Sequence, residues 1–170
     1  TRSVMIYVAA KQEAFDEFYR ILKPQGRLSI FEPINRFRYP EPSHTFWGYD
    51  ATPVAEIAQK VKAVYHQIQP PDKDPMLDFD ERDLITFAEK AGFKEIHLDL
   101  QVEIKPKNND VSWEVMLRTA GNPKIPTLEE AMREVLTPAE TKVFIAYLRP
   151  LIEAKRGVNQ SALAYLWAIK

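Results

Sequence analysis

The sequence of 170 residues contains no cysteine, which excludes several kinds of chemistry. Disulfide bonds, thiolate metal sites and a cysteine nucleophile all require that residue. A chain without cysteine is compatible with a reducing compartment, and we expect a cytoplasmic location. Neither His66 nor His97 has a second ligand at the spacing that metal sites use, so we also expect no bound metal.

An excess of charge of one sign and a long apolar run are missing too. The formal net charge is -1, so there is no overall basic field to attract nucleic acid or an anionic membrane surface. No apolar run approaches the ~20 residues that span a bilayer, and the first residues do not resemble a signal peptide. We therefore expect neither nucleic acid nor a membrane as a partner.

The composition that remains is typical of a globular domain. Hydrophobic residues make up 45% of the sequence and charged residues 28%. The length suits one domain better than two, so we predict a single domain over residues 1–170.

Three strands and the helices between them are indicated by the periodicity. Apolar residues at helical spacing predict a helix over residues 11–22, and the turn 23–26 then leads into a strand over 27–32. A period of two over 93–105 predicts a second strand, and large residues that alternate mostly with alanine predict a third over 161–169. Helix, turn and strand in this order are typical of an α/β sheet.

Capping residues indicate where the remaining helices begin. The predicted caps are Thr52 before Pro53, Asp80, Asp110, Thr127 and Thr137. The helix that begins after Thr137 contains Pro150, which we expect to kink or end it.

Residues 17–28 read E-F-Y-R-I-L-K-P-Q-G-R-L. They resemble the "E-x-x-R-v-L-k-P-G-G-r-l" segment of class I S-adenosylmethionine-dependent methyltransferases, with Gln25 in place of the first glycine. Residues 79–84 followed by 91–93 resemble that family's later "f-x-x-x-d-L … a-G-F" segment. Residues 164–170 stand where the family places its seventh strand, antiparallel between the fifth and the sixth.

This resemblance implies the fold. We expect an α/β protein with a partial Rossmann-like methyltransferase sheet (strands 5, 7 and 6), helices on both faces and a helical cap. The chain would then be the C-terminal part of a methyltransferase domain, with segments 33–78 and 106–157 as cap or insert segments.

The family's glycine-rich cofactor loop, of the D-x-G-x-G-x-G type, is absent from the sequence. The five glycines are Gly26, Gly48, Gly92, Gly121 and Gly157, and no two of them lie close together. The strand that would carry the acidic residue for the ribose hydroxyls is absent as well. We expect the parent protein to use S-adenosylmethionine and this chain alone to be inactive, as a chain cut inside a folded unit.

The resemblance also places the first four residues near the cofactor. Thr1, Arg2, Ser3 and Val4 match positions that line the methionine end of S-adenosylmethionine in the family. The alternative for Arg2 and Ser3 is a frayed terminus.

A substrate pocket is predicted after the first strand. Its expected members are Glu32, Arg36, Tyr39, Phe46 and Trp47. Glu32 ends the strand at the edge where open α/β sheets bind ligands, and it is a candidate to orient an amine or a hydroxyl. The alternatives are a solvated ion pair of Glu32 with Arg36 or Arg38, and an aromatic loop that closes the core. Likewise, Trp113 and Met116 either pack their helix or wall the substrate.

The function that these expectations imply is methyl transfer to a small-molecule acceptor, with no catalytic residue assigned. The alternative is a non-catalytic binding or dimerisation module. Without a fourth-strand neighbour, the first strand of this chain has a free edge. We therefore expect self-association through that edge, exchange of the N-terminal segment between copies, or cover of the edge by residues 1–10.

Overall fold

The computed structural model describes residues 1–108 and 111–170. The helices are α1 (Lys11–Ile21), α2 (Ala55–Ile68), α3 (Glu81–Ala91), α4 (Trp113–Leu117), α5 (Leu128–Val135) and α6 (Pro138–Glu153). The strands are β1 (Arg27–Pro33), β2 (Thr45–Phe46), β3 (Tyr49–Asp50), β4 (Glu95–Pro106) and β5 (Val158–Ile169). Short 3-10 turns cover Met5–Tyr7, Asn35–Phe37 and Thr52–Val54. None of the helices described here is both long enough and apolar enough to cross a bilayer.

The main sheet has three strands in the order β1-β5-β4. β1 and β5 are antiparallel, with Arg27 opposite Ile169 and Pro33 opposite Leu163. The backbone N–H of Lys94 donates to the carbonyl of Ile169, so the start of β4 lies beside the end of β5. The predicted α/β class is confirmed, and so is the position of the last strand in the middle of the sheet.

The chain divides into two compact units. The sheet unit comprises Thr1–Tyr39, Pro71–Glu103 and Ser161–Lys170, and the helical unit comprises Pro40–Pro70 and Ile104–Gln160. Each unit has its own cluster of buried apolar side chains. The prediction of one domain with two cap segments stays a prediction.

The core of the sheet unit lies on one face of the sheet. In β1, Leu28 and Ile30 are buried and alternate with more exposed residues, as the pleat of a strand requires. The small residues of β5 lie on the same buried face, among them Ala164 and Ala168. Phe15 from α1 and Leu84 from α3 complete this core.

The expectation of helices on both faces of the sheet holds for one face only among the described residues. Arg27, Ser29 and Tyr165 on the opposite face are exposed. The apolar residues in the second half of β4 also stay exposed, with Leu100 at 39%, Val102 at 42% and Ile104 at 63%. Their alternating pattern is that of a strand, yet these side chains are exposed and belong to neither buried core.

The core of the helical unit is built from α2 and the three later helices. Val61 of α2, Leu128 of α5 and Phe144 of α6 are fully buried together. Trp113 and Met116 belong to the same cluster, which agrees with their interpretation as helix packing.

Most helix starts follow the predicted capping. Asp80, Thr127 and Thr137 each form a reciprocal capping box with the acidic residue three positions later. Thr52 does not cap α2, because its hydroxyl and N–H bind Asp50 and a 3-10 turn precedes the helix. Asp110 lies outside the described residues.

Two further helix features differ from the expectations. Ser112 caps α4, since its hydroxyl accepts the N–H of Val115. α6 continues through Pro150 to Glu153, so the proline does not end the helix. A proline near the C-terminal end removes one backbone hydrogen bond, and the residues that follow can still complete the turn.

Candidate functional site

Glu32 is a fully buried carboxylate at the end of β1. It is 0% exposed and stands opposite Ala164 on the core face of the sheet. Its Oε1 accepts the backbone N–H of Val4 at 2.8 Å. Its Oε2 is buried and has no hydrogen-bond partner among the described residues. The alternative of a solvated ion pair is therefore wrong for Glu32.

A buried carboxylate oxygen without a donor is costly, since most buried polar atoms in folded proteins are hydrogen-bonded. A second donor would remove this cost. Such unpaired groups call for an explanation, and the position of this one, at the strand end named from the sequence, makes it the centre of the candidate site.

The first four residues lie along the free edge of β1. The N–H of Ser3 donates to the carbonyl of Phe31 at 2.8 Å, and the N–H of Phe31 donates to the carbonyl of Thr1 at 3.0 Å. The terminal ammonium of Thr1 reaches the carbonyl of Ser29 at 2.7 Å. This short parallel pairing covers part of the strand edge, which is one of the three arrangements expected from the sequence.

The structure thus brings the predicted cofactor-proximal residues together with Glu32. Arg2 and Val4 are exposed, and the guanidinium of Arg2 lies 4.9 Å from the centre of the Phe31 ring. Ser3 has a φ of 52°, a left-handed conformation that costs a residue other than glycine some strain. Their role at a cofactor stays a prediction.

Arg36 and Tyr39 follow β1 within the sheet unit. Arg36 forms an ion pair with Asp72 at 3.5 Å, and both side chains are largely exposed. The N–H of Tyr39 donates to the carbonyl of Asn35, which closes the turn after the strand. The role of both residues in substrate binding stays a prediction.

Phe46 and Trp47 belong to the helical unit, in the hairpin formed by β2 and β3. Phe46 is 1% exposed and packs edge-to-face against Phe144, with ring centres 5.2 Å apart. Trp47 stacks on Phe46 at 5.4 Å and on Tyr65 at 6.1 Å. These contacts are those of an aromatic segment that closes a core, and a part in substrate binding stays a prediction.

Two backbone features shape this hairpin. Trp47 and Gly48 have φ values of 50° and 79°. Both of their N–H groups donate to the carboxylate of Glu41, at 2.7 and 2.8 Å. A side chain at Gly48 would place its Cβ 2.1 Å from the carbonyl oxygen of Val158, so only glycine fits there.

The same unit contains a buried lysine that was not predicted from the sequence. Lys62 is 5% exposed, and its ammonium donates to the carbonyls of Pro42 and Thr45 at 2.8 and 2.9 Å. Burial lowers the pKa of Lys62, while the nearby Glu41 opposes that shift. The sequence contained one signal for this burial: residue 62 lies on the same helical face as Ala58 and Tyr65.

A second buried lysine was missed in the sheet unit. Lys11, 4% exposed, begins α1, and its ammonium binds the carbonyls of Val8 and Pro75 and the carboxylate of Asp78. With three acceptors around three donor hydrogens, this lysine ties the start of α1 to the segment before α3.

Two surface depressions among the described residues lie away from the candidate site. A shallow depression of about 280 Å³ lies at the start of α1 and includes Lys11, Gln12 and Asp78. Another of about 280 Å³ lies beside the end of α6. Neither is lined by a residue predicted to bind cofactor or substrate. The described residues include no group of histidine and acidic side chains that could hold a metal ion.

No family model and no curated protein matches the chain, but several solved structures are similar to it. A phosphoethanolamine N-methyltransferase 2 of Haemonchus contortus, in complex with phosphomonomethylethanolamine and S-adenosylhomocysteine, has 13% sequence identity and a TM-score of 0.40. The match covers 99% of this chain and 32% of that one. A second structure of the same enzyme, with S-adenosyl-L-methionine, has 14% identity and a TM-score of 0.35.

A protein of Bacillus halodurans C-125 with a provisional methyltransferase assignment is also similar. It has 14% identity and a TM-score of 0.40, and the match covers 99% of this chain and 67% of that one. The chain thus spans about a third of the Haemonchus enzyme and two thirds of the Bacillus protein. At TM-scores of 0.40 and below, these similarities carry no argument about activity.

Proposed function

We propose that this chain is part of an S-adenosylmethionine-dependent methyltransferase that acts on a small-molecule acceptor. The proposal rests on the resemblance of segments 17–28, 79–93 and 164–170 and on one structural observation. That observation is Glu32, a buried carboxylate with one oxygen bound to the Val4 N–H and the other without a partner among the described residues.

The chemistry of Glu32 suits an acceptor with an N–H or O–H group. Such a donor would satisfy Oε2, and a carboxylate can also orient the donor or take its proton. Because the carboxylate is fully buried in this structure, we expect a ligand to displace the segment around Val4 when it binds. Arg36, Tyr39, Phe46 and Trp47 remain the predicted remainder of the pocket.

The residues of this chain do not by themselves fit S-adenosylmethionine. No two of the five glycines lie close enough to form a loop around the cofactor. The backbone groups of Thr1 and Ser3 are engaged in pairing with β1. We therefore expect this chain alone to be inactive and to give no binding heat with S-adenosylmethionine. For the parent protein we keep the proposal of a cytoplasmic location.

The first experiment is to sequence the coding DNA directly upstream of the Thr1 codon. An open frame that encodes a glycine-rich loop after a strand supports the proposal. A start codon at that point would overturn it and would favour the alternative, a non-catalytic binding or dimerisation module.

The second experiment tests Glu32 in the product of the whole reading frame. Transfer of radiolabelled methyl from S-adenosylmethionine is measured over a panel of small amines and alcohols. Glu32→Gln keeps an acceptor for the Val4 N–H, and we expect it to lower kcat/KM by about 10²-fold or more, the usual contribution of a positioned acid or base. Glu13→Gln, on the exposed side of α1, is the matched control. Equal activity of both variants would exclude a role for Glu32.

A further inference from the structure

The face of the sheet opposite the core carries three aromatic side chains. Phe31 of β1 and Tyr165 of β5 meet edge-to-face with ring centres 4.9 Å apart, and Tyr165 is 42% exposed. Trp167 lies two residues further along β5, and is therefore on the same face as Tyr165. Together they form an aromatic strip across β1 and β5 on this face.

Cations lie along the β1 margin of this strip. The guanidinium of Arg27 lies 4.3 Å from the centre of the Trp167 ring, and that of Arg2 lies 4.9 Å from the centre of the Phe31 ring. Both arginines are exposed. Both guanidinium groups thus lie within cation–π distance of the aromatic strip.

Anions lie along the opposite margin, on β4. The ring of His97 stacks on Trp167 at 3.8 Å, with the two planes 10° apart. Glu95 binds His97 at 3.1 Å, and Asp99 lies on the same face by the alternation of the strand. All three residues are exposed.

The charged residues of the two margins lie at matching positions along the strand direction. Arg27 stands opposite Ile169, and the hydrogen bond from Lys94 puts Glu95 at that same level. Phe31 stands opposite Tyr165, and Arg2 pairs with Phe31 through a parallel backbone bridge. Since His97 lies beside Trp167, Asp99 reaches the level of Tyr165.

We propose that this face binds a second copy of the chain about a two-fold axis parallel to β5. Such an axis sets β5 against β5 and β1 of each copy against β4 of the other. Arg27 then faces Glu95 of the second copy, and Arg2 faces Asp99 of the second copy. The face is therefore self-complementary, as a two-fold interface requires. This inference is independent of the proposed function.

The contact is small, so the dimer is weak. Stable interfaces bury roughly 1,200–2,000 Å² in total, and we expect one face of a three-stranded sheet to lie at or below the low end of that range. Two sheets packed face to face keep their strands within about 30° of each other, which this axis permits. Opposed charges fix the register, while the aromatic strip supplies the apolar burial.

Sedimentation velocity of the chain from low micromolar to submillimolar concentration tests the proposal. The wild-type chain should show a concentration-dependent monomer–dimer equilibrium. Arg27→Glu places two pairs of acids face to face and should weaken dimerisation by at least about tenfold. The charge swap R27E/E95R restores opposite charges between copies and should recover the dimer. Lys142→Glu, an equal change of charge on exposed α6, should leave the equilibrium unchanged.

Circular dichroism first checks that each variant is folded. Only then is its sedimentation compared with that of the wild-type chain. A chain that stays monomeric over the whole range overturns the proposal. It is also overturned by a dimer that Arg27→Glu does not weaken, since the edge of β1 or another surface would then form the contact. Failure of the charge swap to restore a dimer lost in Arg27→Glu would show that the two margins do not meet.

Discussion

Gln25 stands where the similar methyltransferase segment has a glycine. Its backbone conformation is one that glycine adopts more easily than glutamine. Its φ is 64°, in the left-handed region that residues with a Cβ adopt at a cost of roughly 1–2 kcal/mol. The chain nevertheless makes the turn, because the N–H of Gln25 donates to the carbonyl of Lys170 and that of Gly26 donates to the carbonyl of Lys23.

Gln25→Gly should therefore raise the free energy of unfolding by about 0.5–1 kcal/mol. The gain is smaller than the strain removed, because glycine also gives the unfolded chain more freedom. Urea denaturation measures the change. Gly26→Ala is the matched comparison and should destabilise, since its Cβ would meet the carbonyl oxygen of Lys23 at 2.7 Å. A loss of stability in Gln25→Gly would contradict this explanation.

Glu140 illustrates how a capping residue becomes sensitive to acid. Hydrogen bonds from the Lys60 ammonium and from the backbone and side chain of Thr137 lower the pKa of Glu140 from 4.5 to about 2. A carboxyl whose pKa is depressed in the folded state stabilises that state above its unfolded pKa. Its contribution is lost as the pH falls from about 4.5 through about 2.

We expect the stability difference between the wild-type chain and Glu140→Gln to be constant near neutral pH and to vanish over that acid range. Thermal unfolding at a series of pH values measures it. Lys60→Gln removes the largest cause of the shift, so an NMR titration should find the pKa of Glu140 higher in that variant. A pKa of Glu140 that is the same with and without Lys60 would contradict the assignment.

At the scale of the elements, α6 contains a proline at each end with different consequences. Pro138 stands in the first turn, where its missing N–H would have no helical partner. Pro150 stands near the C-terminal end inside the helix, where a hydrogen bond to the preceding turn is lost. The same residue type should thus be neutral at one position and destabilising at the other.

Pro150→Ala should raise the free energy of unfolding by about 1–3 kcal/mol, because the restored N–H can bond and alanine favours the helix. Pro138→Ala should change it by less than about 0.5 kcal/mol. Both values come from guanidinium denaturation. Equal effects of the two substitutions would mean that position within the helix does not decide the cost.

At the scale of the whole molecule, two buried clusters define two compact units. Phe15 is fully buried in the sheet unit, and Phe144 is fully buried in the helical unit. If each core stabilises chiefly its own unit, a small defect in one should be felt mainly there.

Phe144→Leu should therefore speed hydrogen exchange in α2, α5 and α6 more than in α1 and α3, and Phe15→Leu should do the reverse. Each substitution should cost about 1 kcal/mol, enough to change local opening without unfolding the chain. Exchange measured by mass spectrometry resolves the segments. A uniform increase over all helices would instead support the prediction of a single cooperative domain.

The sequence by itself determined the elements and their caps. The strands predicted over 27–32, 93–105 and 161–169 are found at Arg27–Pro33, Glu95–Pro106 and Val158–Ile169. Three capping boxes follow from the spacing of a cap residue and an acid. These signals are local, because side-chain periodicity and first-turn hydrogen bonds depend on residues a few positions apart. The middle position of the last strand followed from the family resemblance.

Only the tertiary structure decided which side chains are buried and what they touch. Glu32 and Lys62 carry charged side chains, yet they are 0% and 5% exposed. Ile104 has the apolar character of a core residue and is 63% exposed. The reason is physical: a pattern fixes the direction in which a side chain points, whereas burial depends on what distant segments of the chain pack against it.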